Sequence, residues 1–269
     1  MSLPKRISLD RLTVNLRVDG EGPPLLYLGG SSFDLAIRAA VFSSDLAQHF
    51  TVAAADPRGL GKTDAPPGDW SMQDYALDAL SILDHLGWES AFVLGESFGA
   101  MIALHLASHA PDRVRAMALC SGAPGGPGRR SFAIESILEI DDHYERACRT
   151  LSLQDSRFDP DTPDPKMISA RILFEQRLMA HGNNAQGIRR LLKARAQHDA
   201  WNQLSAIKTP TLIFSGIYDL QAPPNLSEMM ATQMPNAKLY RVKGGHNICF
   251  NNPKPVQQIL NTWIETSII

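Results

Sequence analysis

A chain of 269 residues with 44% hydrophobic side chains can bury a sizeable core, as one large α/β domain or two small ones. Its formal net charge of −2 supplies no field that would draw it to nucleic acid or to an anionic membrane, and no apolar run approaches the roughly 18 residues of a membrane-crossing helix. The opening Met-Ser-Leu-Pro-Lys-Arg lacks the apolar stretch of a signal peptide. The three cysteines, Cys120, Cys148 and Cys249, are odd in number and far apart, which fits neither a disulfide framework nor a zinc site. The expected compartment is the reducing cytoplasm.

In chain order, Ile7 to Val18 alternates branched and polar residues and predicts one or two antiparallel strands. Leu25 to Leu28 is a short, fully apolar strand of the kind that needs cover on both faces. Gly29-Gly30-Ser31-Ser32 follows as a loop, the stretch to His49 suits a helix, and Thr51 to Ala55 is another buried strand. Helical spacing of Tyr75, Leu77, Leu80, Leu83 and Leu86 predicts a helix over 72–86, with Gly87 at its C-cap. Strand 91–94, a helix over 98–109 and strand 114–120 come next.

The rhythm breaks at Gly122 and helical periodicity holds to Ile207, where strand 211–214, a helix over 226–234, strand 237–242 and a helix over 255–264 restore it. Strands alternating with helices argue for a doubly wound, mostly parallel sheet. The expected organisation is a core domain of residues 1–122 and 208–269, with a helical cap of residues 123–207 inserted between the sixth and seventh strands. Within the cap, Ile172, Leu173, Phe174, Leu178 and Met179 are expected to pack onto the core, one or two of them lining a pocket. Arg189, Arg190, Lys193 and Arg195 are expected to form a solvated basic face.

Gly95-Glu96-Ser97-Phe98-Gly99 lies between a predicted strand and a predicted helix and matches the G-x-S-x-G nucleophile elbow. The turn is strained, and glycines fit where a side chain would clash two positions either side of the serine. It lifts Ser97 to a helix N-terminus, where the Phe98 amide can face an oxyanion. A serine hydroxyl needs a base to take its proton, and behind such an elbow the partners follow in the order acid, then histidine. Of eight histidines only His246, in Lys243-Gly244-Gly245-His246, follows both the elbow and an acid at a strand end. That acid is Asp219, just beyond the strand ending near Ser215, placed to orient the imidazole. The second oxyanion donor is expected to be the Ser31 amide, with Ser32 next to it.

These residues resemble the α/β-hydrolase superfamily over nearly the whole chain, with an eight-stranded sheet and a cap. Asp56-Pro57-Arg58-Gly59-Leu60-Gly61-Lys62-Thr63-Asp64 resembles a family segment after the fourth strand, and Asp219 and His246 match the acid and base positions. Gly29-Gly30 stands where many relatives carry His-Gly; the Gly-Gly variant is similar to some lactonase- and esterase-like members, including those resembling 3-oxoadipate enol-lactonases, and a serine nucleophile disfavours haloalkane dehalogenase or epoxide hydrolase chemistry. Glu96 is unusual at its position; it is expected to make a structural salt bridge or hydrogen bond, or else to tune the site. The lactonase resemblance implies a substrate carboxylate. Seven basic residues against two acidic ones between Lys166 and Ser205 make Arg171 and Arg177 the candidate clamps, with Phe174 and Ser32 as further contacts.

The expected protein is a cofactor-independent serine hydrolase acting on a small ester or lactone, with no metal. Its partner is a small-molecule substrate, not nucleic acid or a membrane, and a homo-oligomer is left open. Rival readings keep the same three residues for C–C bond cleavage, peptide hydrolysis or a lyase reaction, or make the fold a ligand receptor with little turnover.

Overall fold

The computed structural model of the protein describes residues 2–265. Eight strands form one sheet: β1 (Lys5–Ser8), β2 (Thr13–Asp19), β3 (Pro24–Leu28), β4 (Thr51–Ala55), β5 (Ala91–Glu96), β6 (Val114–Cys120), β7 (Thr211–Gly216) and β8 (Ala237–Val242). Their order is β1-β2-β4-β3-β5-β6-β7-β8. β2 is antiparallel to β1 and β4, and every pair from β4–β3 to β7–β8 is parallel. The sheet is doubly wound and mostly parallel, as the alternation of elements implied, and it is the α/β-hydrolase fold that the resemblance implied.

All six residues of β5 are buried, because helices cover both faces of the sheet. Leu26, Val93, Met117 and Ile213 face a core shared with α2 (Met72–His85), α3 (Phe98–His109) and α7 (Pro224–Gln233). Leu25, Phe92, Leu212 and Phe214 point the other way, towards α1 (Leu46–His49), α8 (Ile248–Asn251) and α9 (Pro253–Glu265). There Trp263 of α9 packs on Phe50 and Phe92, with ring centroids 6.0 and 4.7 Å away. Burying aromatic side chains of this size contributes about 1.5–3 kcal/mol each, enough to pin the last helix to the sheet. α2 starts with a reciprocal capping box between Ser71 and Asp74 and ends before Gly87 at φ +67°.

Between β6 and β7 the chain forms α4 (His143–Gln154), α5 (Pro165–Ala180) and α6 (Asn184–Ala196), which lie over the C-terminal ends of the central strands. Asp142 and Asp164 cap α4 and α5, accepting from the amides of Glu145 and Lys166. The cap seats on the core backbone to backbone. A Cβ on Gly182 or Gly187 would run into the carbonyl oxygens of Gly61 and Gly59.

Three expectations are corrected. The stretch before His49 is not a continuous helix: it holds a short 3-10 turn at Ala40–Ser43 and the single turn α1. Buried polar bonds from Asp56 to the Leu35 amide (2.7 Å), and from Asp34 to the Ala36 amide (2.9 Å), impose a loop path instead. The basic residues of α6 do not share one solvated face. Arg195 is 6% exposed and donates to Ser131 Oγ and the Phe132 carbonyl, and Arg190 stacks 3.8 Å above the Trp70 ring. Burial pushes the Arg195 pKa down to about 10. Finally, Leu173 faces solvent, whereas Phe174, Leu178 and Met179 of the same helix pack inward.

Candidate active site

β5 ends at Glu96, α3 begins at Phe98, and Ser97 between them is held at φ 54°, ψ −111°. That conformation costs a non-glycine residue on the order of 1–3 kcal/mol. The surroundings enforce it. The Ser97 amide donates to the Cys120 carbonyl at 2.8 Å, a Cβ on Gly95 would sit 2.6 Å from Ala100 Cα, and one on Gly99 would strike the Leu28 carbonyl. The glycine bracket read from the sequence is thus a packing requirement.

His246 and Asp219 converge on this turn. His246 Nε2 lies 2.9 Å from Ser97 Oγ and Nδ1 lies 2.8 Å from Asp219 Oδ2. Asp219 Oδ1 accepts the amides of Gln221 and Ala222, both at 2.8 Å, so the loop after β7 wraps its own carboxylate. The imidazole is held through its backbone as well. Ser121 Oγ donates to the His246 carbonyl at 2.7 Å, and the His246 amide donates to the Gln154 carbonyl at the end of α4. Ser121, at φ 51°, joins Ser97 as a non-glycine residue in the left-handed region. Ser97, Asp219 and His246 are 7%, 1% and 5% exposed, so the array works away from bulk water.

The loop after β3 passes beside the serine, and a Cβ on Gly30 would lie 3.6 Å from Ser97 Cβ. Neither the Ser31 nor the Phe98 amide is engaged by another group of the chain among the described residues. Asp56 holds this loop in place, accepting from Leu35 N, Lys62 N and Asn15 Nδ2 at 2.7, 3.0 and 2.7 Å. Burial raises its pKa, and these donors oppose the rise. Next to it Arg58 grips Asp78 through two bonds of 2.8 and 2.6 Å. The Asp56–Asp64 segment is therefore scaffold for the loop, not part of the reacting surface.

Ser97 and His246 open into a cavity of about 780 Å³ between the sheet and the cap, within the range of roughly 300–1,000 Å³ of small-molecule sites. Ser31, Ser32 and Arg171 line it, but Arg177 is exposed on the far side of α5 and lies outside it. Phe174 also stands back from the cavity, its ring beneath the guanidiniums of Arg171 and Arg38 at 5.3 and 5.8 Å. Arg171 is not free. Glu175 Oε1 accepts from it at 2.8 Å while Oε2 accepts from Arg146 at 3.0 Å. Burial lowers the Arg171 pKa, Glu175 opposes this, and the nearby charges of Arg38 and Arg146 lower it further.

Glu96 lines the same cavity and accepts a 2.7 Å bond from Tyr27 Oη. Burial and the Glu96 charge push the Tyr27 phenol far above its ordinary range, so it remains a donor. Sequence reasoning missed Gln221, Arg38, Arg146 and Glu175. Gln221 alone had a local signal, its place two residues after Asp219. Among the described residues no group of three metal-ligating side chains is gathered, and no helix is long and apolar enough to cross a membrane.

Residues 27–253 match the family described as alpha/beta hydrolase fold. The "Putative carbamate hydrolase RutD" of Pseudomonas savastanoi pv. phaseolicola is 27% identical over 241 residues, 87% of this chain and 89% of that one. Among solved structures, the enol-lactonase of Burkholderia xenovorans LB400 superposes with a TM-score of 0.79 at 20% identity, covering 97% of this chain and 100% of that one. The meta-cleavage product hydrolase CumD of Pseudomonas fluorescens IP01 superposes with a TM-score of 0.81 at 19% identity, covering 98% of each chain. At such identities the two structures bear on the fold alone.

Proposed function

The chain belongs to the alpha/beta hydrolase family, and on that premise we propose that it is a cofactor-independent serine hydrolase cleaving a small carboxylic ester or lactone. The observation that carries the reading is the continuous relay from Asp219 through His246 to Ser97, 2.8 and 2.9 Å per link, at the floor of a cavity. His246 takes the proton of Ser97 Oγ as the oxygen bonds to the substrate carbonyl carbon. The Ser31 and Phe98 amides receive the oxyanion. His246 then protonates the departing alkoxide, leaving an acyl ester on Ser97. A water attacks that ester, gives its proton to His246, and the same proton returns to Ser97 as the acid leaves.

One end of the substrate meets a cationic wall. Arg38, Arg146, Arg171 and Arg189 line the cavity together with Glu96, Asp141 and Glu175; Glu175 pairs with Arg146 and Arg171, and Arg38 has no ion-pair partner among the described residues. This supports a substrate bearing a carboxylate, with Arg38 in place of Arg171 or Arg177 as the group free to bind it.

The test is a panel of esters, lactones, amides, carbamates and β-diketones, run beside stoichiometric labelling of Ser97 by a fluorophosphonate. Turnover of esters or lactones and labelling lost in Ser97→Ala are expected. Turnover confined to β-diketones would replace the ester reading with C–C bond hydrolysis. Labelling without any turnover across the panel would favour a receptor.

A further inference from the structure

Gln221 is buried at 6% exposure, lines the cavity, and places its side-chain Nε2 2.9 Å from His246 Nε2. That imidazole nitrogen is also 2.9 Å from Ser97 Oγ. With Nδ1–H donating to Asp219, Nε2 carries one lone pair, and two donors share it. A donor spent on the base in the resting site looks wasteful, because it competes with the proton the base must collect. The competition ends when the proton moves. Protonated Nε2 becomes a donor, can no longer accept from the Gln221 amide, and turns it away.

We propose that Gln221 is a catalytic residue for leaving-group departure and for the attack of water. Its amide, displaced from His246 by proton transfer, donates to the alkoxide oxygen as the bond to carbon breaks. Microscopic reversibility puts the attacking water where the leaving oxygen departed, so the same donor meets it in the second half-reaction. No added reactant is needed. The Ser97 oxygen bonds to carbon and its proton goes to His246 Nε2; the carbon–alkoxide bond breaks and that proton passes to the alkoxide, while Gln221 only donates a hydrogen bond. The frame for this is rigid: the Gln221 backbone N–H donates to Asp219 Oδ1 at 2.8 Å and the Gln221 backbone carbonyl accepts from the Phe132 amide at 2.7 Å.

This rests on Ser97 and His246 acting as nucleophile and base, and the experiment separates the two claims. Gln221→Leu and Gln221→Met are compared with the unaltered protein on two esters of one acid, a p-nitrophenyl ester and a simple alkyl ester. A nitrophenolate leaves without help, so acylation by that ester, read as the initial burst, should stay within about threefold. The alkyl ester demands charge stabilisation on the departing oxygen, and its kcat/KM should fall about 10²-fold, as lost transition-state donors do. Slower decay of the nitrophenyl-derived acyl-enzyme is also expected. Equal losses on both esters in both variants, or no loss on either, would overturn the role of Gln221. Fluorophosphonate labelling of Ser97 in every protein reports the nucleophile and base independently: labelled variants with equal losses sink only the Gln221 proposal, and an unlabelled parent sinks the underlying reading.

Discussion

The floor of the cavity and its cap wall are built by different means. On the floor, Ser97, Asp219 and His246 are placed by backbone: a strained turn between strand and helix, a loop folded around its own carboxylate, and a histidine clamped at both its amide and its carbonyl. On the wall, Arg146 and Arg171 are placed by the Glu175 carboxylate they share across α4 and α5, and Arg38, on the loop after β3, lies over the Phe174 ring of α5. A floor made of backbone leaves its side chains few alternative positions. A wall made of side chains can be altered one residue at a time without moving the backbone that places the floor.

The sharpest way to break that contrast is at the floor. Ser97→Ala should cost about 10⁴–10⁶ in kcat with the thermal transition unchanged; retention of a tenth of the activity would move the nucleophile elsewhere. His246→Ala and Asp219→Asn should each impair turnover, and the double variant should be scarcely worse than His246→Ala, because the two act as one unit. Additive losses in that cycle would detach Asp219 from the relay. Ser31→Pro, which removes the proposed oxyanion amide, should slow the reaction about 10²–10³-fold, while Ser31→Ala should change little. Circular dichroism of the proline variant must first match the parent, since proline also restricts the loop.

Where α3 meets the stretch after α6, away from the cavity, lies a buried pair whose effect is on stability. His105 Nε2 meets His198 Nδ1 at 3.0 Å, and His198 Nε2 donates to the Ala123 carbonyl at 2.9 Å. Burial, with His105 adding to it, pushes the His198 pKa down to about 4. The unfolded chain takes up this proton near pH 6.5 and the folded one does not. The contribution is therefore complete above pH 6.5 and is lost as pH falls towards 4, by up to roughly 3 kcal/mol. His198→Asn should flatten the fall in Tm between pH 7 and 4.5; an unchanged slope would assign acid sensitivity to other groups. At the wall the expected effect is smallest. Arg38→Gln should raise KM about tenfold for a carboxylated ester, for a lost charged contact of about 1.5 kcal/mol, and leave a neutral ester of the same size untouched. Equal responses to the two substrates would remove the anionic group from the proposal.

What could be read from the sequence follows the same division. The convergence of Ser97, Asp219 and His246 was legible because each is tied to a local backbone event: a glycine-bracketed turn, a strand end, a glycine-rich loop. The sheet was legible because fully apolar runs between turn residues have few alternatives to a covered parallel strand. The irregular path of residues 33–45 was not, since the Asp56 carboxylate, just beyond β4, accepts from the Leu35 amide, a bond of long sequence range that local helical spacing does not reveal. Nor was the inward turn of Arg190 and Arg195, whose partners Trp70, Ser131 and Phe132 lie far off in sequence. Arg177 looked equivalent to Arg171 by spacing, but the six-residue step between them turns α5 by a net angle of about 240°, enough to separate a side chain over the cavity from one in solvent.

The seam between cap and core has a consequence for anyone rebuilding this protein from parts. Asn184, fully buried at the start of α6, accepts from the Gly61 amide at 2.6 Å and donates to Asp34 at 3.0 Å, and His181 meets the same carboxylate at 2.5 Å. Asp34 belongs to the loop that carries Ser31. A cap transplanted from a relative that lacks these two cap residues would leave the buried carboxylate with the Ala36 amide but without its partners from the cap, and the loop beneath it less supported. The exchangeable unit is the cap together with residues 29–39 and 59–61, three stretches of chain that a cut-and-paste chimera must move as one.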